Sequence, residues 1–162
     1  EKTDRGVIVS RWLKGSPPSP YYADLVKFDG NSDRLQHYEM CIPAIALNKS
    51  VYTPEGTGGR GKDPIDKTYI NISYNFMTPI DEDNTRYFWF QHRNTDPKDK
   101  DISAKMNDGA LMAFLEDKAI LEDVHIGMKN PVTPNIDLGL DSGAKQFRLA
   151  LKRKIEEEQD NS

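Results

Sequence analysis

The sequence predicts an α+β domain in which an antiparallel sheet is built first and helices follow. Two observations predict it. The first two-thirds of the chain is a series of β-branched and aromatic runs cut by Gly, Pro, Asn and Asp, one of them with a clean period of two. From Ser103 onward the apolar residues recur with helical spacing instead. Strands followed by helices bury their apolar faces most simply as a sheet with helices packed against one side. The 162 residues fit one domain, spanning 1–162.

Taken in order, Gly6 to Leu13 is a β-branched and aromatic strand that stops at the proline-rich stretch Gly15 to Pro20. Asp24 to Asp29 reads as a short strand, with Asp29-Gly30-Asn31 as a hairpin-type turn. Arg34 to Val51 supplies a strand pair or one bent strand, broken at Pro43. Pro54 to Pro64 holds four glycines and no apolar residue, and reads as a mobile loop. Thr68 to Met77 alternates: Ile70, Ile72, Tyr74 and Phe76 face one way, Asn71, Ser73 and Asn75 the other. Pro79 to Asn84 is a turn and Thr85 to His92 the returning strand. Ser103 to about Met128 is a helix with Met106, Ala110, Phe114, Leu121 and Val124 on one stripe, ended by Asn130-Pro131. Asp141-Ser142 caps a last helix to about Glu158, with Phe147, Leu151 and Ile155 on one face.

Composition narrows the function. Hydrophobic residues make up 36% and charged residues 30%, and seven Tyr, six Phe and two Trp supply core material. Twenty-two Lys+Arg against 26 Asp+Glu leave a net charge of −4, which argues against a nucleic-acid binder with its basic footprint. No apolar run is long enough to span a membrane, and no basic-then-apolar leader is present, so the expected location is cytoplasmic. The single cysteine, Cys41, excludes an internal disulfide or a cysteine-based metal site within this chain and reads as a small buried hydrophobe. The chain begins at Glu1 and enters a strand pattern at Gly6, so it is expected to be a fragment of a longer protein.

The most informative single residue is Asp117. It occupies the gap in the apolar stripe, three after Phe114 and four before Leu121, and so is expected to face the core with them. A carboxylate there must meet an Arg or Lys, accept several backbone donors, or bind a metal. Glu122-x-x-His125 has the spacing of di-iron bundles, but one such motif on an α+β chain does not make that site, and His125 reads as a helix-end histidine. Gly56 to Lys62 imitates a phosphate loop, yet Asp63 replaces the required Ser/Thr and Pro64 follows, so nucleotide binding is not expected. The row Asn71, Ser73, Asn75 either faces water or, on a sheet curved round a cavity, offers hydrogen bonds to a ligand; Asn48 is similarly placed. His37, His92 and His125 are too scattered for a three-histidine metal site.

Several segments then occur together in order: Val9-Ser10-Arg11-Trp12 with Pro17-Pro18-Ser19-Pro20, Pro54-Glu55-Gly56-Thr57, Met77-Thr78-Pro79 with Tyr87-Phe88-Trp89-Phe90, and Phe114 to Glu122 (FLEDKAILE). With them the chain resembles, over nearly its full length, the C-terminal catalytic domain of Rieske non-haem iron oxygenases, closest to the vanillate O-demethylase, phenoxybenzoate and phthalate oxygenase branch.

The resemblance implies a helix-grip fold, a curved antiparallel sheet wrapped on a long C-terminal helix. It implies a mononuclear Fe(II) held by two histidines and a carboxylate, with Asp117 matching the carboxylate and Asn48 and Asn75 falling where substrate-facing residues lie. It further implies O2-dependent hydroxylation or O-demethylation of an aromatic acid or aryl ether. The electrons would come from a reductase or ferredoxin through a [2Fe-2S] cluster, in a homo-oligomer, commonly a trimer. The family's iron histidines and its cysteine–histidine cluster domain have no counterpart in these residues, so the chain alone is expected to be inactive. The alternative is a non-catalytic helix-grip domain that binds an apolar small molecule among Tyr74, Phe76 or Trp89, with Asp117 ion-paired.

Overall fold

The computed structural model describes residues 1–59, 62, 66–129 and 136–161. Six antiparallel strands form one sheet in sequence order: β1 Lys2–Thr3, β2 Gly6–Ser16, β3 Ser32–Cys41, β4 Ile45–Pro54, β5 Tyr69–Pro79 and β6 Thr85–Arg93. Two helices follow, α1 Lys100–Lys129 and α2 Ser142–Asp160, so the α+β class holds. The chain divides into two units, residues 1–95 with 138–162, and residues 96–137.

In the first unit consecutive strands are antiparallel neighbours: short turns join β1 to β2, β3 to β4 and β5 to β6, whereas residues 17–31 and 55–68 separate β2 from β3 and β4 from β5. The break at Pro43 is a tight β3–β4 turn with Ile42-Pro43 in the cis form, and Cys41 pairs with Ile45 across it. Asp81 closes the β5–β6 turn by accepting from the Asp83 and Asn84 backbone N–H groups. At the end of β2 a bulge between Leu13 and Ser16 places Gly15 at φ +58°, a conformation that favours glycine.

Two expectations in this unit are corrected. Residues 24–29 form no strand: the Leu25 and Val26 N–H groups bond back to the Tyr22 carbonyl, and Leu25 is buried as a plug. The alternation Val26-Lys27-Phe28 is overridden because the turn at Tyr22 takes up the N–H groups that strand pairing would need. Asp141 does stand at the N-terminus of α2, but its carboxylate accepts from the Leu138 N–H rather than capping the helix.

Helix α2 packs on β2 at Gly143, where an added Cβ would stand 2.6 Å from Val9 Cγ2, so only glycine permits that approach. Phe147 and Leu151 are half-buried; Ile155, expected on the same face, is exposed.

The second unit is the long helix. It starts three residues earlier than the apolar period predicts because Asp99 is a working N-cap: its Oδ1 accepts from the Asp101 and Ile102 N–H groups. The Asn130-Pro131 stop lies outside the described residues. Met106 and Ala110 are buried and Phe114 half-buried, as the stripe predicts, but Leu121 and Val124 are 65% and 50% exposed. Leu111, Met112, Leu115, Ile120 and Ile126 are exposed too, so apolar residues surround the cylinder and period alone does not single out one buried line. Among the described residues no helix is long and apolar enough to cross a membrane.

Candidate functional site

The strand registers assign every paired residue to one of two sheet faces, because residues directly opposite point to the same side. One face carries Asn71, Ser73 and Asn75 of β5, opposite Ser50, Asn48 and Ala46 of β4. It continues through Gln36, Tyr38 and Met40 of β3 and through Arg93, Gln91 and Trp89 of β6. The other face carries Ile70, Ile72, Tyr74 and Phe76 with Phe88, Phe90 and His92.

The period-two reading of β5 is correct, but the inside is the polar side. Tyr69, Asn71, Ser73 and Asn75 are buried, whereas Ile70, Ile72, Tyr74 and Phe76 are only half-buried. The buried amides are largely satisfied. Asn71 Nδ2 donates to the Tyr22 hydroxyl at 3.2 Å, and Asn75 Nδ2 donates to the Ala46 carbonyl at 3.2 Å. Asn75 Oδ1 accepts from the Tyr87 hydroxyl at 2.6 Å.

At one end of this asparagine face stands a group of tyrosines. The Tyr22 ring lies 5.4 Å from that of Tyr52 and 5.5 Å from that of Tyr69. The Tyr52 hydroxyl bonds Ser19 and accepts from Arg34 Nη1 at 3.2 Å, with the guanidinium 5.7 Å over its ring. Burial pushes the Tyr22 phenol up to about 12, partly offset by hydrogen bonding to Ser50 and Asn71, and burial raises Tyr69 further. These two phenols are therefore neutral across the physiological range.

The residues expected to form the site fall in different surroundings. Asn75 is buried with both ends of its amide engaged, and Asn48, on the same face, is exposed. Asp117 is exposed on α1 rather than core-facing, with no hydrogen-bond or ion-pair partner among the described residues; the nearby ion pair joins Lys118 to Glu122 instead. The expected buried ion pair of Asp117 is thus not formed, because burial along the helix fades beyond Phe114. Tyr74 and Phe76 lie on the opposite face from Trp89, so these three aromatics do not line one pocket. No three His, Cys, Asp or Glu side chains among the described residues group closely enough to hold a metal ion.

Sequence reasoning missed two features. One is Asp33, 4% exposed: its Oδ1 accepts from the Gly15 N–H at 3.1 Å, and its Oδ2 from those of Gly56 and Gly58 at 2.9 and 3.1 Å. The segment from Gly56, expected to be mobile, is pinned at these amides. The N–H groups of Gly56 and Gly58 are thus taken up by the protein's own carboxylate. Arg60, Gly61, Asp63 and Pro64 of that motif lie outside the described residues. The other missed feature is the tyrosine–arginine group, whose only sequence signal is that Arg11, Arg34 and Arg93 fall in phase with the asparagine row, visible once the registers are known.

Residues 1–157 match the family model described as Vanillate O-demethylase oxygenase C-terminal domain. Among curated proteins, the chain is 28% identical over 153 residues to the Toluene-4-sulfonate monooxygenase system iron-sulfur subunit TsaM1 of Comamonas testosteroni, covering 94% of this chain and 44% of that protein. It is 25% identical over 158 residues to the Vanillate O-demethylase oxygenase subunit of Pseudomonas sp. (strain ATCC 19151), covering 94% of this chain and 48% of that protein. The chain spans about half the length of the curated relatives it matches. No solved structure matches it.

Proposed function

Because the chain belongs to the family of vanillate O-demethylase oxygenase C-terminal domains, we propose that it is the catalytic part of the oxygenase component of a Rieske-type aromatic oxygenase. The reaction in this reading is O2-dependent hydroxylation or O-demethylation of an aromatic acid or aryl ether. The observation that carries it is the family match over residues 1–157, supported by relatives whose names are oxygenase and iron-sulfur subunits of monooxygenase and demethylase systems. The other half of the protein then holds the [2Fe-2S] cluster and the iron histidines. A reductase or ferredoxin supplies electrons, and the working form is a cytoplasmic homo-oligomer.

In this reading Asp117 is the carboxylate ligand of the mononuclear iron. What supports it is an acid at the family's motif position, on a helix, whose oxygens no other described side chain takes up. The iron, when bound, supplies the activation of O2. This chain's own contribution is to bind and orient the aromatic substrate against the sheet. Asn48 offers an exposed amide to it, and Asn75 keeps the neighbouring wall in place through Ala46 and Tyr87.

The test is metal analysis of the full-length protein purified anaerobically, with and without Asp117→Ala. The expected result is loss of the mononuclear iron and of turnover with the [2Fe-2S] absorption unchanged. Unchanged iron content and turnover would sink the role of Asp117. A full-length protein without iron or cluster would favour the non-catalytic ligand-binding domain.

A further inference from the structure

An antiparallel sheet with one face in water turns its polar side chains to that face. In this sheet the polarity is reversed. Helix α2 at Val9 and the Tyr22 side chain at Asn71 lie on the asparagine face, whereas the opposite face is apolar. On β4 to β6 that apolar face carries Ile45, Leu47, Tyr74, Phe76, Phe88 and Phe90. Phe90 stacks on Tyr74 and on Phe76, with centroids 4.9 and 5.8 Å apart, yet it is 44% exposed, and Phe88 is 54% exposed. The segment from Gly56 reaches only the opposite end of β4, where an added Cβ on Gly58 would meet Thr53, Asp33 and Trp12. A contiguous exposed aromatic surface of this kind marks an interface.

Charge narrows what fits it. The paired positions of the apolar face on β4 to β6 also include Lys49, Arg86 and His92 and no Asp or Glu. The carboxylates of the same face on β3 are engaged within the chain: Glu39 lies against Arg5, His37 and Cys41, and Asp33 holds the three glycine N–H groups. A complementary surface is therefore apolar at its centre and acidic at its rim.

We propose that this aromatic face seats the preceding half of the full-length protein, which packs on Tyr74, Phe76, Phe88 and Phe90 and sets carboxylates against Lys49 and Arg86. The chain belongs to a family of C-terminal domains, and more than half of each curated relative lies outside the part it matches, so the covering mass is present in the same chain. A second copy docking by two-fold symmetry would bring a basic rim onto a basic rim, which like charges disfavour. The inference rests on family membership and is independent of the iron and of Asp117.

Hydroxyl-radical footprinting of the full-length protein, read by mass spectrometry, measures the cover. With exposures of 54 and 44%, Phe88 and Phe90 left in water should be oxidised only about two-fold more slowly than in the urea-unfolded chain. Beneath the preceding half the expected slowing is about ten-fold or more. The 162-residue chain on its own leaves both rings in water, so truncating them there costs little and only the full-length protein carries the test. Carbodiimide coupling, which joins an amine to a carboxylate in contact with it, identifies the occupant. The expected product joins Lys49 to an Asp or Glu that precedes Glu1 and runs as a single chain on denaturing gels. Slowing of only about two-fold, no coupling at Lys49, coupling to a carboxylate within residues 1–162 of another copy, or a coupled product that runs as a dimer overturns the inference.

Discussion

The two faces of the sheet are made of the same strands and are opposite in chemistry. One presents Asn71, Ser73 and Asn75, three arginines and a tyrosine group, and from Tyr69 to Asn75 its β5 positions are buried. The other presents Ile72, Tyr74, Phe76, Phe88 and Phe90 with His92; Tyr74 stacks on Phe90 at 4.9 Å between centroids, and Phe88 and Phe90 are exposed. The difference teaches that burial here does not follow polarity. A buried amide is tolerated where its hydrogen bonds are supplied, and the asparagine face supplies them from Tyr22, Tyr87 and the Ala46 carbonyl. The aromatic face keeps much of its apolar area in water.

The sharpest way to break this comparison is to truncate one aromatic on each face. Tyr69→Ala, at 1% exposure, should cost about 3–5 kcal/mol of stability, while Phe88→Ala, at 54% exposure, should stay within about 0.5 kcal/mol. Urea denaturation midpoints of the two variants measure it. Similar midpoints would mean that the asparagine face is not the inside.

A smaller effect is expected from Asp33→Asn, which replaces one acceptor oxygen by a donor among three glycine N–H groups and should cost about 2–3 kcal/mol. Faster proteolytic nicking near Gly56–Gly58, read by mass spectrometry, should accompany it. A variant as stable and as protease-resistant as the parent would show that the carboxylate does not pin that segment.

The smallest effect is a pH dependence confined to the buried side. The Tyr22 phenol is raised from 10.0 to about 12 in the folded chain, so its neutral form is favoured by folding. That contribution is fully present below pH 10 and is lost as pH rises from 10 through 12. Ultraviolet titration of the phenolates should show Tyr22 ionising about two units above the ordinary tyrosine value of 10.0, its ionisation accompanied by loss of structure. One uniform transition near pH 10 would refute the burial of Tyr22.

Much of the architecture was legible beforehand. Period-two runs cut by turn residues located β2, the β3–β4 pair, β5 and β6, and helical spacing located α1 and α2. Where the reading failed, the cause was local chemistry competing with pattern. Asp99 starts α1 ahead of its apolar period, and Leu25 with Val26 is an anchored turn, not a strand. The sequence singled out Asp117, Asn48 and Asn75 as candidates but not Tyr22, Tyr69 or Asp33, because the partners of these three are distant along the chain.

The sequence by itself determined the order and type of the larger elements, β2 to β6 and the two helices, since turns and side-chain period are local. It also determined the division of β5 into two rows, because successive side chains in a strand must alternate. Only the tertiary structure decided which row is inside. Alternation is symmetric between the two faces, and the choice depends on long-range partners: the Tyr22 hydroxyl for Asn71, the Tyr87 hydroxyl for Asn75, and strand registers that set Arg34, Tyr52 and Tyr69 side by side.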